Sequence, residues 1–155
     1  MACDPTFVTR TRMELDSAYF APVEWSGTMP HMNWASTGRQ VTWVVRDPRT
    51  GKENMAIDDW RFRVGDVVKV RLSNERASFH AMQHPIHLHG QRFLVLRVNG
   101  VAQENLVWKD TVLLPVGTTV ELLVEMSNPG RWMLHCHIAE HLAADMMMEF
   151  QVAAP

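Results

Sequence analysis

Residues 111–152 read TVLLPVGTTVELLVEMSNPGRWMLHCHIAEHLAADMMMEFQV. Four strand-like runs stand in this stretch: TVLLPV (111–116), TTVELLVEM (118–126), GRWMLHC (130–136) and MMMEFQV (146–152). In the second run Val120, Leu122 and Val124 alternate with Glu121 and Glu125, the period of a half-buried strand. The turn signals PVG (115–117) and SNPG (127–130) separate the runs. Only IAEHLAA (138–144) reads as helix, for about two turns.

The same pattern continues upstream. VTWVV (41–45) is β-branched and aromatic, and VVKVRL (67–72) sets Val68, Val70 and Leu72 against Lys69 and Arg71. RFLVLRV (92–98) is a nearly continuous apolar run, as expected of a strand covered on both faces. DPRTG (47–51), VGD (64–66) and VNG (98–100) supply further turns. Many short strands at this spacing predict an all-β, antiparallel sandwich or barrel with one short helix. Residues 1–40 are irregular, punctuated by Pro22, Gly27, Pro30 and Gly38. The expected organisation is a single domain over 1–155, with 1–30 as an irregular N-terminal extension.

The 155 residues suffice for one domain with a real core. A net charge of −2 gives no sign of a nucleic-acid or anionic-membrane partner, and no apolar run approaches a membrane span. The N-terminus lacks the apolar core of a secretory signal, so compartment is not set by the sequence itself.

Six of the eight histidines fall in two short stretches, HPIHLHG (84–90) and HCHIAEHLAADM (135–146). Strand side chains alternate faces, so His135 and His137 point one way and Cys136 the other. His87 and His89 share a face, while His84, three residues before His87, is free to take the opposite one. One pair of strands thus offers two metal sites. His84 and Cys136 form the first, and a turn or short helix can return His141 and Met146 to the same side. Two imidazoles, a thiolate and a thioether are the ligand list of a blue-copper centre. His87, His89, His135 and His137 form the second, an imidazole-only set suited to Cu, Zn, Fe or Ni and leaning to copper beside a copper site.

Plainer readings compete. Zinc accepts Cys and His but leaves a thioether unused. Met146 also suits core packing, beside Met147, Met148 and Phe150. His31, with Met29 and Met32, could dock Cu(I) but is more simply a surface-loop residue, and His80 is read as having no metal role. Asp58, Asp59 and Asp110 read as solvated or turn residues. Of the two cysteines, Cys3 is read as a bystander and Cys136 as a ligand rather than a disulfide partner.

The two histidine motifs resemble the copper motifs of the C-terminal cupredoxin domain of laccase-like multicopper oxidases. FRVGDVVKVRLSN (62–74), LVWKDTVLLPVG (106–117) and VEMSNPGRWMLHCHIAEH (124–141) are similar to bacterial members, and the likeness covers nearly all of the chain beyond about residue 30. The resemblance implies copper as cofactor and a cupredoxin-like Greek-key β-sandwich or barrel, with its short helix near the copper-binding loop. It implies a type-1 site of His84, Cys136 and His141, for electron entry and transfer, with Met146 axial. It implies a type-2 position at His87 and type-3 positions at His89, His135 and His137. In such enzymes a reducing substrate feeds electrons to the type-1 copper, and a trinuclear cluster reduces dioxygen to water.

Departures from the family pattern matter equally. The family cluster uses eight histidines, and this chain matches four. Some bacterial members carry an acidic residue after the last type-1 histidine, where this chain has Leu142. The expectation is therefore a one-electron transfer domain, with no full oxidase activity from an isolated monomer. The alternatives are an oxidase rebuilt by homo-oligomerisation, as a dimer or trimer through the cluster-facing surface, and a non-enzymatic copper- or zinc-binding module. The expected partners are further copies of the chain and a small reducing substrate or electron-donor protein. A periplasmic or secreted location is what the resemblance suggests for a full-length parent.

Overall fold

The computed structural model describes residues 42–77 and 81–155. The expected extension over 1–30, Cys3, His31, His80 and the first residue of VTWVV lie outside the described residues.

Nine strands follow one another among these residues: β1 (Arg61–Arg63), β2 (Val67–Ser73), β3 (His84–Leu88), β4 (Arg92–Val98), β5 (Val101–Ala102), β6 (Thr111–Leu114), β7 (Thr119–Glu125), β8 (Gly130–Cys136) and β9 (Met147–Ala153). A short helix, α1 (Ala139–Ala143), lies between β8 and β9, and a 3₁₀ turn spans Asn54–Ala56. The strands form two sheets, ordered β1-β9-β8-β3-β6 and β2-β7-β4-β5. All pairings are antiparallel except β1 with β9. This is the predicted all-β sandwich with one short helix. No helix among the described residues is long and apolar enough to cross a membrane.

Alternation builds the core. Val120, Leu122 and Val124 of β7 are buried, as are Ile86 and Leu88 of β3 and Met148, Phe150 and Val152 of β9. With Phe93 of β4 and Leu134 of β8 they form one cluster between the sheets, whose burial supplies the main driving force for folding.

Two expectations need correction, and two strands were not anticipated. RFLVLRV is a strand at the expected bounds, but it is not covered on both faces: Phe93 is buried while the residues after it are half-buried or exposed. Its pairing with β7 shifts register between Val95 and Arg97, which breaks strict alternation. VTWVV is not a strand over its described part: residues 42–45 are irregular and only Arg46 makes an isolated bridge, to Glu53. The side chain of Asn54 takes the place of a neighbouring strand there, accepting from the Val45 N–H at 2.8 Å and donating to the Trp43 carbonyl at 3.1 Å. The strands β1 and β5, three and two residues long, were not signalled by sequence pattern at all.

The turn after β3 closes the HPIHLHG motif. Gly90 has φ +68°, and a Cβ there would meet the Trp132 ring at 2.3 Å. Buried Gln91 clips the loop before β8: its oxygen accepts from Ser127 and Asn128 N–H at 2.8 and 3.1 Å, and its amide donates to the Asn128 carbonyl at 2.8 Å. The Trp132 indole N–H donates to the same carbonyl at 3.0 Å. Gly90→Ala combines a left-handed backbone with a ring collision, so it should cost more than about 2 kcal/mol of folding free energy. Denaturant midpoints of the two proteins measure this, and a change within about 0.5 kcal/mol, typical of a neutral surface substitution, would show that the turn relaxes freely.

Candidate metal centre

The geometry begins with the pairing of β3 and β8, which sets Ile86 opposite Cys136, His87 opposite His135 and Leu88 opposite Leu134. His84, Ile86 and Leu88 therefore share the buried face of β3, and His87 takes the other. Backbone bonds extend the ladder at both ends, from His89 N to Met133 O at 2.9 Å and from His137 N to Pro85 O at 2.7 Å. The motif residues just outside the strands are thereby held too.

On the inner side, His84, Cys136 and His141 converge. Nδ1 of His84 lies 3.2 Å from Nδ1 of His141, and the Cys136 sulphur lies 3.7 and 3.5 Å from these two nitrogens. Cys136 and His141 are 0% exposed. A point equidistant from the three atoms lies about 2 Å from each, close to the bond length of a first-row metal to imidazole nitrogen. The donor set and its spacing therefore fit a small metal ion.

The loop that returns His141 closes on itself. α1 turns the chain, and Asp145 at φ 64° reverses it into β9. The N–H of Met146 donates to the His141 carbonyl at 3.0 Å, and the N–H of Cys136 donates to the Met146 carbonyl at 3.1 Å. Met146 is buried at this junction, one residue ahead of β9 rather than within it.

On the outer side, His87, His89 and His135 form a second cluster. Nε2 of His89 and Nε2 of His135 lie 2.9 Å apart. His87 is oriented from behind: its Nδ1 lies 3.1 Å from the Asp110 carbonyl and 2.9 Å from Thr111 Oγ1. Nδ1 of His135 lies 2.8 Å from the Cys136 carbonyl. With Nδ1 engaged in both rings, Nε2 is left to face the cluster, the usual way in which a hydrogen bond selects the ligating nitrogen. His137 sits at the exposed rim, its ring centroid 5.7 Å from those of His87 and His135, outside the tight cluster of three.

Two contributors escape sequence reading. Asp110 is a solvated turn residue, as expected, with a side chain 67% exposed, yet its backbone carbonyl orients His87. No side-chain pattern could signal that. Trp43 stacks on His141 from a segment read as strand, and its indole within an apolar run carries no signal of proximity to histidine.

Beside the outer cluster opens a cleft of about 690 Å³, lined by His87, His89, Arg92, Trp108, Asp110 and Asn128 among others. Arg92 lies over the Trp108 ring at 4.3 Å and pairs with Glu125 at 2.7 Å.

A two-sheet β-sandwich that carries a buried His–His–Cys triangle and an imidazole cluster on the opposite face of one strand pair defines a metal-binding cupredoxin domain. The chain belongs to the multicopper oxidase family, whose sequence model matches residues 22–155. Among solved structures, the multi-copper oxidase from Pediococcus acidilactici aligns at 33% identity and TM-score 0.59, over 66% of this chain and 22% of that one. The McoA multicopper oxidase from Aquifex aeolicus aligns at 30% identity and TM-score 0.56, over 73% and 28%. Laccase-1 of Melanocarpus albomyces is 30% identical over 115 residues, 61% of this chain and 17% of its own length. The chain thus spans less than a third of each of these relatives, fungal and bacterial alike. Membership of this family implies copper as the cofactor.

Burial shapes the protonation of the metal-free donors. It holds the His84 imidazole below its ordinary pKa. His89 is lowered by burial first and then by the neighbouring His87, His135 and His137. Burial pushes the Cys136 thiol up, partly offset by the N–H groups of Ile138 and His137. Both histidine shifts favour the neutral ring in the folded chain, so the unfolded chain takes up protons first as pH falls. Stability of the metal-free protein should be intact above about pH 6.5, the ordinary imidazole pKa, and decline below it. It should also decline above about pH 8.5, where the unfolded chain loses the Cys136 proton first. Thermal melts across this range test both limbs, and a melting temperature flat from neutrality down to about pH 5 would contradict the acid limb.

Proposed function

We propose that this domain is an electron-transfer module in which His84, Cys136 and His141 hold a type-1 copper, with Met146 in the axial position. The observation that carries this reading is the buried triangle of two Nδ1 atoms and one sulphur at 3.2 to 3.7 Å. Bound copper supplies a one-electron couple, with its potential set by the axial ligand and by the surroundings of the cysteine sulphur. The chain does the rest. The antiparallel pair holds His84 and Cys136 at fixed separation, the 137–146 loop returns His141, and full burial excludes solvent from the thiolate. A site that cannot relax between oxidation states keeps reorganisation small.

His87, in this reading, occupies the type-2 position, and His89, His135 and His137 the type-3 positions of a trinuclear cluster. Cys136 is joined to both sides at once: covalently to His135 and His137, and by the 2.8 Å contact between its carbonyl and His135 Nδ1. These four imidazoles are half of the family complement. Reduction of dioxygen therefore needs further histidines, from a longer polypeptide or from another copy of the chain. Supporting the second source, the His87 face is bordered by exposed Trp108 and Leu113, both 49% exposed, apolar surface that favours a covered state. A dimer or trimer assembled through this face, fed by a small reducing substrate or a donor protein, would be an oxidase.

Copper titration of the purified chain tests the first part. The expected result is an intense thiolate-to-copper band at one copper per chain, abolished by Cys136→Ser; the absence of colour, or colour that survives the substitution, rejects it. Oxygen uptake with a phenolic substrate, measured together with mass in solution, tests the second. Uptake should be absent from the monomer and follow the oligomer, whereas an oligomer loaded with extra copper that consumes no oxygen rejects a rebuilt oxidase.

A further inference from the structure

The residue that covers the triangle comes from outside both histidine motifs. The Trp43 indole stacks on the His141 ring, with centroids 3.7 Å apart and planes 23° from parallel. It also meets His84 edge-on, at 5.6 Å and 72°. Trp43 is 5% exposed and His141 0%. One aromatic group thus touches both imidazole donors of the site.

Its placement is built by the strap that carries it. The Asn54 side chain binds the Trp43 carbonyl and the Val45 N–H at 3.1 and 2.8 Å, and the Asn54 N–H donates to the Val45 carbonyl at 2.8 Å. Asn54 itself adopts φ 49°, a left-handed conformation that Asn tolerates better than most residues. Further along, the Asp47 carboxylate accepts from the Trp60 indole N–H at 3.1 Å and pairs with Arg49 at 2.6 Å. These polar ties fix a segment that, among the described residues, belongs to no strand and makes only the Arg46–Glu53 bridge.

We propose that Trp43 is a positioning residue for the copper donors, a conclusion that rests on the type-1 reading of the triangle. Two physical consequences follow. A ring stacked nearly parallel to His141 blocks the imidazole rotation that would swing Nδ1 away from Cys136 and His84. The indole also keeps water from the donor side of the site. With a thiolate ligand the oxidised site carries one positive charge more than the reduced one. Excluding water disfavours the more charged state and raises the reduction potential.

The test compares the full chain with Trp43→Phe and Trp43→Leu, loaded with Cu(II). The readouts are the thiolate-to-copper band, the reduction potential, water-proton relaxivity and copper retention against a chelator. Circular dichroism of the metal-free proteins serves as the folding control. Trp43→Phe keeps a stackable ring and should stay close to wild type. Trp43→Leu keeps bulk without a ring; its potential should fall, its relaxivity should rise and its copper retention should weaken by about tenfold or more. Should Trp43→Leu fail to fold, Asn54→Ala loosens the strap and should move the same readouts in the same direction. A folded Trp43→Leu, or failing that a folded Asn54→Ala, with the potential, spectrum and relaxivity of the wild type overturns the assignment while leaving the type-1 reading intact. A wild-type chain that never turns blue overturns both.

Discussion

The structure depends on one backbone constraint: the antiparallel register of β3 and β8, which sets Cys136 against Ile86 and His135 against His87. Alternation along these paired strands sorts chemically similar side chains to opposite sides of one sheet. Cys136 and His84 go inward to a dry pocket, and His87 and His135 go outward. The inner position shields the Cys136 sulphur from solvent, and the outer one gathers the imidazole cluster on the opposite face of the sheet. His84, His87, His135 and Cys136 inherit their placement from the strand ladder, and His141 is held by the loop whose Met146 bonds back to it and to Cys136; fixed donors are what a preformed site requires.

Burial has opposite effects on the donors. It raises the Cys136 thiol pKa and lowers that of His84, so without metal both of these donors favour their neutral forms. A metal that needs a thiolate must displace that proton on entry, which couples occupancy to pH.

Much of this was legible in the sequence because strand parity is a local property. The facing of Cys136 against His135 and His137 follows from their order alone, and the return of His141 follows from a short helix between strands. The family likeness of the two motifs matched the comparison results. What was not legible has a physical reason in each case. Trp43 sits in a run whose β-branched composition predicts a strand, yet Asn54 captures its backbone from nine residues beyond Val45, a contact with no periodic signature. Asp110 orients His87 through a carbonyl that any residue would supply. The apolar run of β4 suggested two covered faces, but a register shift after Val95 interrupts the alternation and leaves the later residues half-buried or exposed.

The strand lengths bear on how such a domain can meet another protein. Among the described residues the five-stranded sheet ends in β1 and β6, only three and four residues long, and β6 stops where Pro115, which lacks an N–H, begins. The other sheet ends in the two-residue β5 and in β2, whose Lys69 and Arg71 are tied to Glu121 across the strand. Short or charged borders are poor templates for adding a foreign strand. Ladder-to-ladder growth, the common route by which β-proteins associate or aggregate, is therefore discouraged at the sheet borders among the described residues. Away from these borders, the imidazoles of His87 and His89 line an open cleft, so the chemically distinctive surface of the domain lies on a sheet face rather than on a strand edge.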